Sequence, residues 1–533
     1  MAKVWKILSE DPEDLVAELL KIRGLKTKDD IQQFWHPKIE DYKKQLTIPG
    51  VAVAVKRIEK AIETGEQIII YGDYDVDGVC ATAIMYHALA SRQAKVLPYI
   101  PHREKEGYGL SKIGLEFARD TGATLLITVD CGIVAFEQTE YAKSLGMDVI
   151  ITDHHVMLDK KPEVTAIVHS TAMCGSAVAW CLAKELISEK ASLELLDFVG
   201  MGSICDMMPM IGVNRFFAKE GVKRLQKTDR VGLISLLQEC GIDPTELSAY
   251  HVSHIIGPRL NAMGRMEHAI DSLRLLCTKN PKKARELAHL LCETNDAKKQ
   301  LTTEAIDAAR LIVNTDGFLV GKKILIVHSK DWIPGIIGLV AARLAEEYRL
   351  PAIAIAEGEF ESKGSARTVN GLNIIETIRQ CSDLLIDVGG HPQAAGFTIH
   401  SKNIDKFSKQ LLAVVEKNKM EDSPELVVDA AIGIKKLTKK LCLQLMDFEP
   451  TGVANPKPIL AVRNIQISDI KTVGAGKHLK FKADGIDSIA FGLGDLESIL
   501  QNGQFIDLAF FLELNIWNGQ EKLQLKVLDL KLN

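Results

Sequence analysis

The chain predicts an α/β protein: two α/β lobes joined by helices, followed by a small carboxyl-terminal β-barrel. Three observations carry this. Apolar strand-like runs alternate with amphipathic helical stretches through the first part of the chain ("QIIIYGD", "KVLPYIP", "TLLITVD", "DVIITDHH"), the pattern of a parallel sheet covered on both faces. A second group of such runs, "KILIVHS", "PAIAIAE" and "AAGFTIH", follows further on. Near the end the segments become short and β-like with Gly and Asn turns, as in "LKFKAD", "SIAFGLG" and "FIDLAFFLELNIW", which suits a small barrel.

In chain order, residues 1–45 predict a charged helical flank ("DPEDLVAELLKIRGLKTKDDIQQFW"). Residues 46–212 hold the first lobe, 213–245 connecting helices, 246–420 the second lobe and 425–533 the barrel. The polar stretch "KNKMEDSPE" (417–425) has the composition of a linker. At 533 residues the chain is too long for one core. It is 47% hydrophobic with a net charge of −5, so a polyanionic partner would be held by local patches rather than a global field. Ten scattered cysteines without a Cys-x-x-Cys pair argue against structural zinc and disulfide scaffolding. The charged start "MAKVWKILSEDPEDL" lacks a signal-peptide core, and no run approaches the roughly 20 apolar residues of a membrane span. The chain reads as cytoplasmic.

The chemistry sits where the first strands end. "QIIIYGDYDVDG" places Asp73, Asp75 and Asp77 at alternating positions directly after an apolar run. An EF-hand loop opens similarly but needs a flanking helix and a twelfth-position Glu; here a strand precedes and Ile84 stands twelfth. "DVDGV" also fits the nucleophile motif of haloacid-dehalogenase phosphatases, and a solvated acidic turn is the plain alternative. Repetition favours a metal. "TLLITVDCG" ends on Asp130, "DVIITDHH" on Asp153, His154 and His155, and "GSICDMMP" adds Asp206. In a parallel sheet these strand ends share one edge. Oxygen-rich coordination with imidazole and no thiolate suits Mn²⁺ or Mg²⁺. Four or five aspartates call for about two ions, the arrangement of two-metal hydrolysis of phosphoesters or phosphoanhydrides.

"DYDVDG", "VDCG", "TDHH" and "CDMMP", in this order, resemble the four motifs of the DHH phosphoesterase superfamily. "GPRLNAMGRM", "GSAR" and "GGHPQAAGF" resemble its RecJ branch, the single-strand-specific exonucleases, as do "LKIRGL", "IPHREKEGYGL", "VANPKP" and "HLKFKA". The likeness extends over nearly the whole chain and sets the dehalogenase reading aside. It implies a DHH catalytic domain, a DHH-associated substrate domain and an OB-fold. It implies metal binding by Asp75, Asp77, Asp130, His154 and Asp206, with Asp73 and His155 in the same pocket as ligands or as groups orienting water or phosphate. Asp153 then orients a histidine. It further implies a 5′-phosphate pocket of Arg103, Ser365 and Arg367, a close phosphate approach at Gly389, Gly390 and His391, and DNA-backbone contacts from Arg259 and Arg265. "GPRLNAMGR" read alone would equally cap a helix.

The resemblance implies a 5′-to-3′ exonuclease on single-stranded DNA, releasing 5′-mononucleotides in repair and recombination. Its expected partners are a single-strand-binding protein and a helicase, with no membrane and a monomeric state. Trp332-Ile333-Pro334-Gly335 departs from the usual Trp-His-Pro-Gly, "AIVHS" from the usual Asn-Pro, and "NDAKKQ" has Lys where relatives carry Arg. None of these removes an expected metal ligand. Residues 425–533 balance 13 Lys+Arg against 13 Asp+Glu. Lysines 435, 436, 439 and 440, then 471, 477, 480 and 482, are candidates for a strand-tracking groove, with Phe481 and Trp517 as stacking candidates. The alternatives are a phosphodiesterase of short oligonucleotides or cyclic dinucleotides, which would lack a long strand-binding surface and against which the barrel argues, and a non-catalytic DNA-binding scaffold.

Overall fold

A computed structural model describes residues 4–315, 323–369, 371–417, 425–517 and 520–532; of Ile516 and Trp517 it describes the backbone alone. Residues 418–424 of the expected linker lie outside these. The chain forms two compact units. One comprises Met1–Pro258, Ile270–Arg285 and Glu425–Asn533; the other comprises Arg259–Ala269 and Glu286–Pro424. No helix among the described residues is long and apolar enough to cross a membrane.

The first unit is built on an all-parallel sheet of β1 (Gln67–Tyr71), β2 (Lys95–Tyr99), β3 (Ala123–Val129), β4 (Asp148–Asp153) and β5 (Ala166–His169). The strand order is β2-β1-β3-β4-β5. Ile68, Ile69, Ile70, Leu125, Leu126 and Ile127 are fully buried, so these central strands read as apolar runs rather than alternating ones. The chain leaves β1 for β2 on one side, then crosses back to β3 on the other. That reversal opens a crevice beyond the carboxyl ends of β1 and β3, the usual ligand position in such sheets. Helices Val76–Ser91, Gly175–Ala183 and Leu196–Cys205 are apolar all round and buried.

The flank holds the helices Leu15–Ile22 and Lys28–Trp35, the latter entered through a Thr27–Asp30 capping box. It also holds a strand, Val4–Ile7, that pairs in parallel with Glu425–Val428. Helices Gly212–Leu225 and Val231–Glu239, in the segment expected to connect the lobes, lie within the first unit.

In the other unit, β6 (Leu325–Ser329), β7 (Ala352–Ala356), β8 (Glu361–Arg367), β9 (Leu385–His391) and β10 (Ala394–His400) form a mixed sheet ordered β9-β10-β8-β7-β6. Helix Pro334–Tyr348 packs Ile337, Val340 and Leu344 with Ala352 and Ala354 on one face, while Ile353, Ile355, Phe397 and Phe407 fill the other.

The carboxyl-terminal strands β11 (Leu460–Val473), β12 (His478–Ala483), β13 (Ile486–Ala490), β14 (Phe505–Trp517) and β15 (Gln520–Leu532) close into a barrel, because β11 pairs with both β12 and β14. Arg215 fastens it to the rest of its unit. This buried guanidinium donates to five backbone carbonyls, those of Phe34, Asp447, Phe448, Glu449 and Pro450, at 2.8–3.2 Å and lies 3.9 Å above the Phe34 ring.

Candidate metal centre and substrate contacts

Asp75 ends the turn after β1 as the N-cap of helix Val76–Ser91, accepting the Gly78 N–H at 3.0 Å. Asp77 follows in the first turn and accepts the N–H groups of Gly175 (2.6 Å) and Ser176 (3.0 Å). Those donors open helix Gly175–Ala183, so free amides and the helix dipole face a carboxylate. Two glycines here leave room that no other residue would. A Cβ on Gly78 would lie 2.6 Å from the Asp73 Cβ, and one on Gly175 would lie 2.1 Å from Asp130 Oδ1.

Asp130 leaves β3 in the left-handed region, at φ +63°, a conformation uncommon among non-glycine residues and best tolerated by Asn and Asp. His154 Nε2 is 3.2 Å from Asp130 Oδ1 and 3.7 Å from Asp206 Oδ2. Asp153 is fully engaged: it accepts the N–H groups of Ile133, His154 and His155, and stands 2.8 Å from His155 Nδ1.

Side chains from four loops thus converge. Asp73, Asp75 and Asp130; Asp77, His154 and Asp206; and Asp130, His154 and His155 each bring ligand atoms within 4.8 Å of one another. All seven residues expected at the metal site are in these groups, and Asp153 stands behind His155. Asp73 Oδ1 and Asp130 Oδ1 are buried without a hydrogen-bond partner, a state that costs free energy unless a cation is present. Burial, followed by the neighbouring Asp77 and Asp75 carboxylates, pushes Asp206 up to about 8. Burial and neighbouring carboxylates likewise raise Asp73, Asp75 and Asp130. Asp153 behaves oppositely: burial opposes its charge, but the His155 hydrogen bond and charge hold it below the usual carboxylate range. These residues fit a pair of oxygen-seeking divalent cations. The neighbouring thiols do not compete, since burial raises Cys131 and Cys174 far from thiolate.

Arg103 begins a short helical turn and lies 5.1 Å above the Tyr74 ring; its charge acts to lower Asp73, against the larger effect of burial. In the other unit, strand register assembles a second group. His391 pairs with Ala394 and Ala394 with Arg367, while Gly389 pairs with Gly396 and Gly396 with Ser365. Paired residues share a face, as do residues two apart. His391 and Arg367 therefore flank a floor of Gly389, Ala394 and Gly396, two strand spacings or about 10 Å apart. Arg367 Nη1 donates to Ser365 Oγ at 3.1 Å. Gly390 takes φ +146° on the opposite face. Ile333 is the N-cap of helix Pro334–Tyr348 and supplies no side-chain cap.

"GPRLNAMGRM" forms the helix Gly257–Met266 itself, rather than capping one, and continues from a π-helical turn, Val252–Ile256. Arg259 Nε donates to Cys292 Sγ at 3.2 Å and Arg265 Nη1 to Gly335 O at 3.5 Å. Beside them Lys298, from "NDAKKQ", is buried and donates to Asn295 Oδ1 at 2.9 Å. Burial, then the charges of Arg265, Lys299 and Arg259, bring its amine down to about 8.

On the barrel the expected lysine groove resolves differently. Lys436, Lys439 and Lys482 are ion-paired with Asp11, Glu521 and Asp469. Phe481 is 1% exposed and belongs to the core, because β12 turns it inward; it is not a stacking surface. The Trp517 side chain lies outside the described residues. Register instead sets Lys471, Lys480, Ile489, Lys526 and Phe511 in one row across five strands. Exposed Phe491 adjoins it, with Lys526 Nζ 5.7 Å from its ring centre.

Comparison with known proteins agrees with this arrangement. Residues 67–203 match the DHH family N-terminal domain, 321–417 the DHHA1 domain and 428–529 the RecJ OB domain. The single-stranded-DNA-specific exonuclease RecJ of Bacillus subtilis (strain 168) is 35% identical over 97% of this chain and 67% of its own length. The chain belongs to the RecJ family. Among solved structures, RecJ from Thermus thermophilus in complex with Mn²⁺ superposes with a TM-score of 0.83 at 27% identity, covering 99% of this chain and 79% of that one. Its complex with Mg²⁺ gives a TM-score of 0.76, again at 27% identity, covering 99% and 78%.

Several participants escape a reading of motifs. Tyr74, Glu106 and Tyr108 stand beside residues singled out in the sequence, Asp73, Asp75 and Arg103, without being singled out themselves. The backbone amides of Gly175 and Ser176 carry no side-chain signal at all, since a helix start about 100 residues away in sequence declares nothing about Asp77.

Proposed function

We propose that the protein is a 5′-to-3′ exonuclease that hydrolyses single-stranded DNA to 5′-mononucleotides, with two Mn²⁺ or Mg²⁺ ions held by Asp73, Asp75, Asp77, Asp130, His154, His155 and Asp206. The supporting observation is the cluster of buried carboxylates at the carboxyl ends of β1 and β3, with Asp73 Oδ1 and Asp130 Oδ1 lacking a hydrogen-bond partner, in a RecJ-family chain that carries an OB barrel. When bound, the cations activate water and neutralise charge on the phosphoryl group.

The side chains then have distinct tasks. Asp77 is held in place by two amides, and Asp153 fixes the His155 ring through Nδ1, leaving Nε2 directed elsewhere. Arg103 is assigned to phosphate binding, as, separately, is Arg367 with Ser365, since a guanidinium fork binds two oxygens at once. Gly389, Gly390 and His391 offer close backbone approach and one further donor. Arg259 and Arg265, joined by Lys298, are assigned to the phosphate backbone. The Lys471–Lys480–Lys526 row with Phe491 is assigned to the trailing strand. Cytoplasmic action in repair and recombination, on DNA presented by a single-strand-binding protein or helicase, belongs to the same reading.

Incubation with Mn²⁺ and single strands labelled at either end, with blunt duplex and dinucleotides in parallel and Asp75→Ala as control, tests this. Immediate release of labelled mononucleotide from the 5′ end, absent on duplex and in the variant, is the expected result. Cleavage of dinucleotides alone would place the protein among small-substrate phosphodiesterases.

A further inference from the structure

Residues 102–111, "HREKEGYGLS", form an arm that reaches the metal centre at His155 and Asp130. Glu106 holds it. Its carboxylate accepts the His102 N–H at 2.7 Å, the Tyr99 hydroxyl at 2.8 Å and the Ser111 hydroxyl at 2.5 Å. Tyr71, buried in β1, donates its hydroxyl to the Gly109 carbonyl at 3.1 Å and accepts the Ser111 N–H at 3.1 Å. Gly107 and Gly109 both adopt left-handed backbone, φ +82° and +78°, which lets the chain reverse on either side of residue 108. What this arrangement projects is Tyr108. Its ring is half exposed, but its hydroxyl lies 3.1 Å and 3.2 Å from the two ring nitrogens of His155 and 3.3 Å from the Asp130 carbonyl. The phenol ring meets the imidazole edge-on, with centroids 5.5 Å apart at 67°.

We propose that Tyr108 is a positioning residue of the metal centre: its hydroxyl ties the Asp130 loop to the His155 loop, and Glu106 holds it there. The inference rests on the phosphodiesterase reading of this site and deepens it. Asp153 accepts hydrogen bonds only, so His155 carries its proton on Nδ1 and presents a lone pair at Nε2. The Tyr108 O–H then has two acceptors within reach, His155 Nε2 and the Asp130 carbonyl. A cation taking Nε2 leaves the second acceptor in place, so the hydroxyl continues to hold the Asp130 backbone, which stands in the left-handed region at φ +63°. The edge-on ring at the same time blocks rotation of the imidazole away from the pocket. A hydroxyl supporting two candidate ligands from separate strands acts as outer-shell partners do, whose loss costs roughly 10- to 100-fold in metal affinity or activity.

The test uses the full chain and compares Tyr108→Phe, Tyr108→Ala, Glu106→Ala and Glu106→Gln. Calorimetric titration with Mn²⁺ alone is run beside steady-state cleavage of a 5′-phosphorylated single strand. Tyr108→Phe should lower both kcat and Mn²⁺ affinity about tenfold, with KM within about twofold. Its melting temperature should be unchanged. Glu106→Ala should reproduce the kcat loss and also raise KM, since Arg103 shares the arm. Glu106→Gln should restore most of both, because an amide oxygen still accepts the His102 N–H. Wild-type kcat and Mn²⁺ affinity in Tyr108→Phe would overturn the proposal, as would a KM defect confined to Tyr108→Ala, which would mean that the ring only packs. Should the wild-type protein cleave no strand, the exonuclease reading fails on its own. The Mn²⁺ titration still decides this inference: weaker binding in Tyr108→Phe supports it and equal binding overturns it.

Discussion

The parallel sheet of the first unit and the mixed sheet of the second carry opposite electrostatic burdens. Beyond β1, β3 and β4, buried aspartates crowd one another, and Asp206 is pushed up to about 8 by burial and its acidic neighbours. In the other unit the crowding is cationic. Lys298 is brought down to about 8 by burial and by Arg265, Lys299 and Arg259, while Arg367 is also lowered by burial. Each region holds charge that it would shed if it could, the acids by taking up protons and the lysine by releasing one. Such frustration is tolerated at functional sites, where a ligand of opposite sign relieves it. The acidic edge suits divalent cations, and the basic region suits phosphate.

The widest separation between the two regions should come from Gly175→Ala. A methyl group 2.1 Å from Asp130 Oδ1 has to displace that carboxylate. Mn²⁺ affinity should fall by about 100-fold, the upper end of the range for disturbed metal sites, when read by calorimetry against an unchanged circular-dichroism spectrum. Arg367→Ala should leave Mn²⁺ affinity alone and instead raise KM for 5′-phosphorylated strands by about 10-fold, the lower end for a lost charge-assisted bond. If Arg367→Ala weakened Mn²⁺ binding to the same degree, the division of labour would be wrong. The barrel sharpens the comparison more gently: Phe491→Ala should weaken binding of a long single strand about fivefold, as for one lost base stack, and leave cleavage of short strands unchanged.

The smallest effect is on stability against pH. The Asp206 carboxyl has its pKa raised on folding, so the folded state binds its proton more tightly than the unfolded state does. Its contribution is therefore complete below the unfolded value near 4 and is lost as pH rises towards about 8. Metal-free protein should accordingly melt lower at pH 8 than at pH 5. Asp206→Asn should flatten that slope, and saturating Mn²⁺ should reverse it, since the cation requires the deprotonated form. Differential scanning calorimetry across that range reads all three; a metal-free melting temperature that rises from pH 5 to 8 would contradict the charge crowding.

Much of the metal centre is legible in the order of residues. Apolar runs ending in Asp73, Asp130 and Asp153 imply strands of a parallel sheet, and such strands deliver their ends to one edge by geometry alone. The inward face of Phe481 is not legible in that way, because alternation along β12 decides which residues face the core, and a one-residue change of register reverses that choice. The same limit applies to the lysines: whether Lys482 faces Asp469 or a nucleic acid depends on which strand lies beside it.

By itself, then, the order of residues determined what is local or periodic: the strand and helix types, the acid-rich strand ends, the class of cation and the family. Tertiary structure alone decided what depends on distant backbone meeting. It brought the amides of Gly175 and Ser176 to Asp77, set His391 beside Arg367 across β10, and placed the Tyr108 hydroxyl between Asp130 and His155. The physical reason is that hydrogen bonds and charge interactions act over a few ångströms in space, whereas sequence records only separation along the chain.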